Sequence, residues 1–291
     1  MKLLQGIVTA MLTPFAQDGS VSVPALEALC DDLIARGVDC LYPTGSMGEM
    51  LRLSTDERKL VAETVVRKAA GRVPVYVHVG SVTTQETVAL AQHAQECGAD
   101  GVGVVTPMYF MLQEREMEQF FCDVASSIDI PMYLYSIPQY AVNDISADLA
   151  ARLKAKRSNI VGIKCSSPGP ANIPNYVAIG GFEVLQGQDR LTMPYLSVKG
   201  VAGIVSGGSS AYPDPYVAIR RALLAGDIPA AQEADTLLQQ YLSVVGFGSI
   251  AMEKAFSKLR GLDIGAPRLP GLPATDEQIA IMQRFIDEKK I

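Results

Sequence analysis

Lys164 stands near the end of an apolar run, "NIVGIKCSSPG" over 159–169. A charge there costs free energy unless it is paired, neutralised or used. Period-two alternation puts Gly162 and Lys164 on one face of a strand and Ile163 and Cys165 on the other. If the first face is the inside of a barrel, Gly162 leaves room beneath the lysine. Desolvation then favours the neutral amine, the nucleophile of Schiff-base chemistry. A lysine snorkelling from a strand end, or held in a structural ion pair, fits the position equally well.

Tyr135 closes an earlier run, "IPMYLYSIP". Neighbouring parallel strands lie about 4.8 Å apart, so a phenol and an amine at matching heights share a pocket. The phenol can then give and take protons. Alone, Tyr135 reads as a core or rim aromatic. "GSMGE", Gly45 to Glu49, has glycines on both sides of Ser46 and Met47 but no GK[ST], so it is not a phosphate-binding P-loop. Its backbone N–H groups could hold an anion such as a carboxylate, although a tight strand-to-helix turn explains the glycines as well. "SGGSS", Ser206 to Ser210, is a weaker candidate for phosphate, because no basic residue accompanies it.

These residues need elements that bring them to one place. Short apolar runs recur along the chain: "GIVTAML", "VDCLYPTG", "VPVYVHVG", "GVGVVTP", "IPMYLYSIP", "NIVGIKCSS", "FEVLQGQD" and "GVAGIVSGG". They are continuously apolar, which suits strands buried on both faces. Amphipathic stretches such as "VPALEALCDDLIARG", "STDERKLVAETVVRKAAG" and "TTQETVALAQHAQECG" lie between them and end in glycine. About eight βα units predict a (β/α)8 TIM barrel of the α/β class, for which about 250 residues suffice. The rival, a doubly wound open sheet, would show fewer strands and a glycine-rich dinucleotide turn. Residues 1–225 are read as the barrel and 226–291 as a helical extension packed on it, with "GAPRLPGLP" as a rigid connector before the last helix. Barrel chemistry sits at the C-terminal ends of strands. The places to examine are therefore Thr44 to Glu49, His78, Thr106 to Tyr109, Tyr135, Lys164, Gln188 to Arg190 and Ser206 to Ser209.

Composition narrows the classes further. The 291 residues are 48% hydrophobic and 19% charged, with a net charge of −6 and no basic stripe, which argues against nucleic acid as a partner. Cys30, Cys40, Cys97, Cys122 and Cys165 form no CxxC pair and are odd in number, the pattern of reduced thiols in a cytoplasmic protein. His78 and His93 are the two histidines and read as structural or surface residues; neither has a Cys or His at ligand spacing, so no metal is expected. "MKLLQGIVTAMLTPF" is broken by Gln5, Gly6 and Thr9 and reads as a first strand rather than a signal peptide. No apolar run is long enough to span a membrane.

"GSMGE", "YSIP" and "GIK", with "TPMY" after strand four and "TPF" near the start, resemble in order and spacing the pyruvate-dependent class I aldolases and lyases that include dihydrodipicolinate synthase and N-acetylneuraminate lyase. The resemblance spans essentially the whole chain. It implies a Schiff base between Lys164 and the keto carbon of pyruvate or another 2-oxo acid, with no other cofactor. It implies that Tyr135 moves protons, and that Ser46 links it to a second tyrosine matched by Tyr109. In the family that tyrosine commonly comes from a neighbouring subunit, which implies a homo-oligomer, a dimer or tetramer. Val205 matches a strand-eight carbonyl facing pyruvate, and the amides around Ser46 and Met47 match the carboxylate site.

Departures bear on the substrate. Met47 stands where many members have threonine, which removes one hydrogen bond worth about 1 kcal/mol or somewhat more. Tyr140 stands where dihydrodipicolinate synthases carry arginine. "GQDR" supplies Gly187, Asp189 and Arg190 where sialate lyases carry an acidic pair; Arg190 suits a distal carboxylate or an ion pair. The serine of "YSIP" also occurs in 4-hydroxy-2-oxoglutarate aldolase-like members. The expectation is a metal-independent Schiff-base lyase, a class I aldolase or dehydratase, acting on a 2-keto-3-deoxy acid or 4-hydroxy-2-oxo acid. The alternatives are condensation of pyruvate with aspartate semialdehyde, and a barrel that senses a 2-oxo acid without turnover.

Overall fold

The structure, a computed structural model, describes residues 3–167, 172–246 and 248–291. Pro168 and Gly169 of the lysine-bearing run, and Met1 and Lys2 of the N-terminal run, lie outside the described residues. Eight strands follow one another in the chain: β1 (Gly6–Ala10), β2 (Cys40–Tyr42), β3 (Tyr76–His78), β4 (Gly101–Val105), β5 (Met132–Ser136), β6 (Ile160–Cys165), β7 (Glu183–Gln186) and β8 (Val201–Ser206). Every pairing is parallel, in the order β2-β1-β8-β7-β6-β5-β4-β3. A parallel bridge from Leu41 to Val75 brings the two remaining edges together, with the His78 N–H on the Pro43 carbonyl at 3.1 Å. The result is an all but closed barrel.

Alternation along the strands sorts the side chains. Ile7, Leu41, Val102, Leu134, Ile163, Val184 and Ile204 point outward and pack in the layer beneath the helices. Val8, Ala10, Tyr42, Tyr76, Tyr133, Leu185 and Val205 fill the barrel itself. Each fully buried aliphatic chain in these layers contributes about 1.5–3 kcal/mol. Three tyrosines are bulky contents for so narrow a space, and glycines on facing strands admit them. A Cβ on Gly103 would lie 1.8 Å from the Tyr42 hydroxyl, and one on Gly162 would lie 2.5 Å from the Tyr133 ring. The room at Gly162 therefore goes to Tyr133 and not, as the alternation alone suggested, to Lys164.

Between strands run α1 (Val23–Arg36), α2 (Thr55–Ala69), α3 (Thr84–Glu96), α4 (Glu114–Ser126), a one-turn α5 (Pro138–Ala141), α6 (Ala147–Lys156), short α7 (Asn172–Val177) and α8 (Thr192–Leu196), and α9 (Asp214–Ala225). The N-termini of α2, α3 and α6 are fixed by Ser54, Thr83 and Ser146, whose hydroxyls accept backbone N–H groups of the first turn. Gly226, at φ +73°, ends α9 in the left-handed region that only glycine enters freely. Then come α10 (Ile228–Val245), α11 (Ile250–Leu259) and α12 (Asp276–Lys289). Phe256 of α11 meets Tyr241 edge-on at 4.9 Å and Tyr212 at a tilt at 5.7 Å, so the extension shares the barrel's outer core. Among the described residues no helix is long and apolar enough to cross a membrane.

Candidate active site

The C-terminal ends of the strands open into a cavity of about 350 Å³, lined by Lys164 and Tyr135 at its floor and by Ser46, Met47, Gly187, Asp189 and Val205 around them. Tyr135 and Lys164 are register partners on β5 and β6, which puts them at equal height. Only 6% of Lys164 is exposed. Its Nζ lies 4.0 Å from the centroid of the Tyr135 ring and 5.4 Å from that of Tyr42. Aromatic faces attract cations, so the two rings suit a positively charged group at this place. The stem reaches this place because β7 gives way: a Cβ on Gly187 would sit 3.2 Å from Lys164 Cε and 1.9 Å from Ser166 Oγ.

His78 supports the pair from β3. Its ring meets Tyr135 edge-on at 5.9 Å. Burial, then the nearby charges of Arg58 and Lys164, hold it well below the usual histidine range, so the ring is neutral. Nδ1 lies 3.1 Å from the Thr44 carbonyl, which can only accept, so Nδ1 carries the proton. Arg58, buried, fastens the end of β3 through the carbonyls of His78 and Gly80 at 2.9 and 3.0 Å. Sequence reasoning placed His78 at a strand end and gave it a structural role, and it passed over Tyr42 and Arg58. An inward tyrosine in a strand reads as packing, and only the glycine at 103 hints at its depth.

The "GSMGE" turn joins β2 to α2. Thr44 and Glu49 adopt positive φ at 58° and 59°, a strain that their surroundings hold in place. Thr44 Oγ1 donates to the His78 carbonyl at 2.7 Å, and Thr13 Oγ1 to the Gly48 carbonyl at 2.7 Å. The turn's own bonds run from Glu49 N–H to Ser46 O and from Met50 N–H to Gly45 O, which leaves the Ser46 and Met47 amides outside them. The Glu49 carboxylate is fully buried against Lys254 of α11 at 2.9 Å, with Arg52 Nη1 and the Arg268 N–H each at 2.9 Å. The C-terminal extension thus grips the turn that carries Ser46 and Met47.

The remaining candidates divide. Asp189 lines the cavity and accepts the Gly208 N–H at 3.2 Å; burial pushes its carboxyl up, opposed by hydrogen bonds and by the charge of Lys164. Tyr140, on α5, stands 71% exposed at the cavity's rim. Arg190 is exposed and does not line the cavity; its carbonyl accepts from Gln239 of α10. Tyr109 also stays outside, 79% exposed at φ +79°, edge-on to Phe110. Its loop is tied down by Asn143, which donates to the carbonyls of Pro107 and Phe110 and accepts the Leu112 N–H. "SGGSS" is occupied with its own fold: Ser209 bonds Thr9 and Ser206, and Ser210 accepts the Leu12 N–H. Among the described residues no group of three or more His, Cys, Asp or Glu side chains is placed to hold a metal ion.

Comparison with known proteins places the chain among relatives of the same fold. Residues 3–289 match the model of the dihydrodipicolinate synthetase family. The 4-hydroxy-tetrahydrodipicolinate synthase of Bacillus subtilis (strain 168) is 34% identical over 285 residues, covering 97% of this chain and 98% of that protein. YagE of Escherichia coli (strain K12), provisionally named a 2-dehydro-3-deoxy-D-gluconate aldolase, is 36% identical over 243 residues, 81% of this chain and 80% of its own. The crystal structure of YagE in complex with pyruvate superimposes with a TM-score of 0.93 at 30% identity, covering 99% of both chains. The chain belongs to the dihydrodipicolinate synthetase family.

Proposed function

We propose that this protein is a Schiff-base lyase of pyruvate-derived 2-oxo acids, with Lys164 as the nucleophile. The observation that carries the reading is a lysine buried at the end of β6, beside Tyr135, facing a cavity at the C-terminal mouth of the barrel. The Lys164 amine adds to the keto carbon, water leaves, and an iminium forms over the faces of Tyr135 and Tyr42. The iminium draws electrons from the adjacent carbon, so the bond beyond it can break or form. Tyr135 gives and takes the protons of these steps, with Ser46 beside it. The substrate carboxylate rests on the amides of Ser46 and Met47, and the Val205 carbonyl faces the three-carbon unit. Gly187, Asp189 and Tyr140 border the space left for the rest of the substrate.

Tyr109 does not line its own subunit's cavity, and its exposed neighbours Phe110 and Met111 form an apolar surface beside it. This supports a homo-oligomer in which Tyr109 of one subunit completes the relay of another. Condensation of pyruvate with aspartate semialdehyde is the second reading, supported by kinship with the Bacillus synthase. Against it stands Tyr140, which offers no positive charge where a distal carboxylate would need one. Pyruvate release from 4-hydroxy-2-oxo acids, set beside pyruvate consumption with aspartate semialdehyde, separates the two. We expect cleavage to dominate, Lys164→Ala to fall to background, and Tyr135→Phe to lose roughly 10²- to 10⁴-fold in kcat. Faster turnover with aspartate semialdehyde would reverse the order of the two readings.

A further inference from the structure

Pyruvate, a three-carbon acid, would fill only part of the 350 Å³ cavity, around Lys164, Tyr135 and the "GSMGE" turn. The outer part has a different character. Met50, Leu51, Met108, Ile137, Ala141 and Ile250 line it. Met50, Met108, Ile137 and Ala141 pack with Val105 and Tyr135 as an apolar cluster of their own, separate from the barrel interior and from the layer beneath the helices. Such a cluster has no structural need to face a cavity, yet this one forms its wall.

Most charged groups in the wall are engaged with the fold, the exception being Asp189 Oδ1, which is buried without a hydrogen-bond partner among the described residues. Glu49 is held by Lys254, by the Arg268 N–H and by Arg52 through Nη1. Asp189 accepts the Gly208 N–H, and the Gln139 amide donates to the Ser166 carbonyl at 2.7 Å. Apart from Lys164, Arg52 is the one cation among the described lining residues, and Arg190 lies elsewhere. Against this wall a distal carboxylate, a phosphate or a polyhydroxylated chain would lose hydrogen bonds to water that the side chains of Met50, Met108, Ile137 and Ala141 cannot replace. Methionine side chains adapt to apolar guests of different shape and make favourable contacts with aromatic rings.

We propose that the aldehyde partner of pyruvate at this site carries an uncharged apolar tail, an alkyl chain or aryl ring, seated on the Met50–Met108–Ile137 wall. The inference rests on the Schiff-base reading above. In the forward direction the enamine carbon on Lys164 attacks the aldehyde carbon. A C–C bond forms, the aldehyde oxygen takes a proton to become a hydroxyl, and water then releases a 4-hydroxy-2-oxo acid from the lysine. The net reaction joins pyruvate and aldehyde with no atom left over and no oxidant or reductant. Cleavage is its reverse.

The test measures condensation of pyruvate with propanal, butanal, hexanal, benzaldehyde, glyceraldehyde and aspartate semialdehyde, with the product identified by mass. Borohydride trapping of pyruvate runs in parallel. We expect kcat/KM to rise roughly fourfold per methylene from propanal to hexanal as the tail is buried. Hexanal and benzaldehyde should exceed glyceraldehyde and aspartate semialdehyde by at least about tenfold. Met108→Lys should shift the ratio of hexanal to aspartate semialdehyde towards the latter by a similar factor, a readout independent of how much protein folds. A trapped pyruvate adduct together with a preference for glyceraldehyde or aspartate semialdehyde would overturn the apolar assignment alone. No adduct at all would remove the Schiff-base reading and this inference with it.

Discussion

A methyl group at Gly187 would meet Ser166 Oγ at 1.9 Å and the Lys164 stem at 3.2 Å, so a change remote from any reacting bond bears directly on the proposed nucleophile. Gly187→Ala should cost about 1–3 kcal/mol of stability by overpacking. It should also slow adduct formation on Lys164, because the amine is displaced from its seat over Tyr135. Urea unfolding and trapping rates, measured on the same preparation, check the two effects. A stability loss with an unchanged trapping rate would show that the lysine does not need this space. At this scale the sequence was most legible where a residue conflicted with its surroundings. A lysine in an apolar strand stands out, whereas Tyr42, His78 and Asn143 look ordinary until the barrel closes. Gly162 was assigned to the lysine because alternation shows faces but not which ring fills the space between them.

At the scale of elements, α11 holds the mouth of the barrel from both sides. Lys254 and Glu49 are each almost wholly buried, at 1% and 0% side-chain exposure, and bridge at 2.9 Å. Breaking a buried pair from one side leaves the other charge stranded. Lys254→Met should cost about 3 kcal/mol, the lower end of such losses, because Arg52 and the Arg268 N–H still reach Glu49. The double variant Lys254→Met/Glu49→Gln should recover part of that in urea unfolding. On the preceding residue, Glu253 receives the Tyr241 hydroxyl, and burial pushes its carboxyl from the usual 4.5 up to about 8. Between those values the folded chain keeps a proton that the unfolded chain has lost. Stability from this group is therefore complete below about pH 4.5 and falls away as pH rises towards about 8. Glu253→Gln should flatten the unfolding midpoint across that window; an equally steep profile would mean that another group titrates there. The helices of the extension were legible from their periodicity. Their grip on the "GSMGE" turn was not, because the partners lie far apart in the chain.

The whole molecule follows from strands too apolar to face water on either side. That pattern, repeated eight times with helices between, is what made the barrel legible. It did not say how β2 and β3 meet, because both are three-residue strands joined by a single bridge. Nor does one chain's sequence contain the geometry of a second copy. Tyr109, Phe110 and Met111 are 79%, 72% and 83% exposed, on a loop that Asn143 holds in a fixed shape. If that surface pairs subunits, Phe110→Asp should lower the sedimentation coefficient and slow the proton steps together. An unchanged assembly would move the interface elsewhere.

The central claim concerns one covalent bond. Incubation with pyruvate and borohydride, followed by peptide mapping, should place a single reduced pyruvate on the peptide carrying Lys164 and none in the Lys164→Ala variant. Wild-type protein that gains no mass, or gains it on another lysine, would contradict the account.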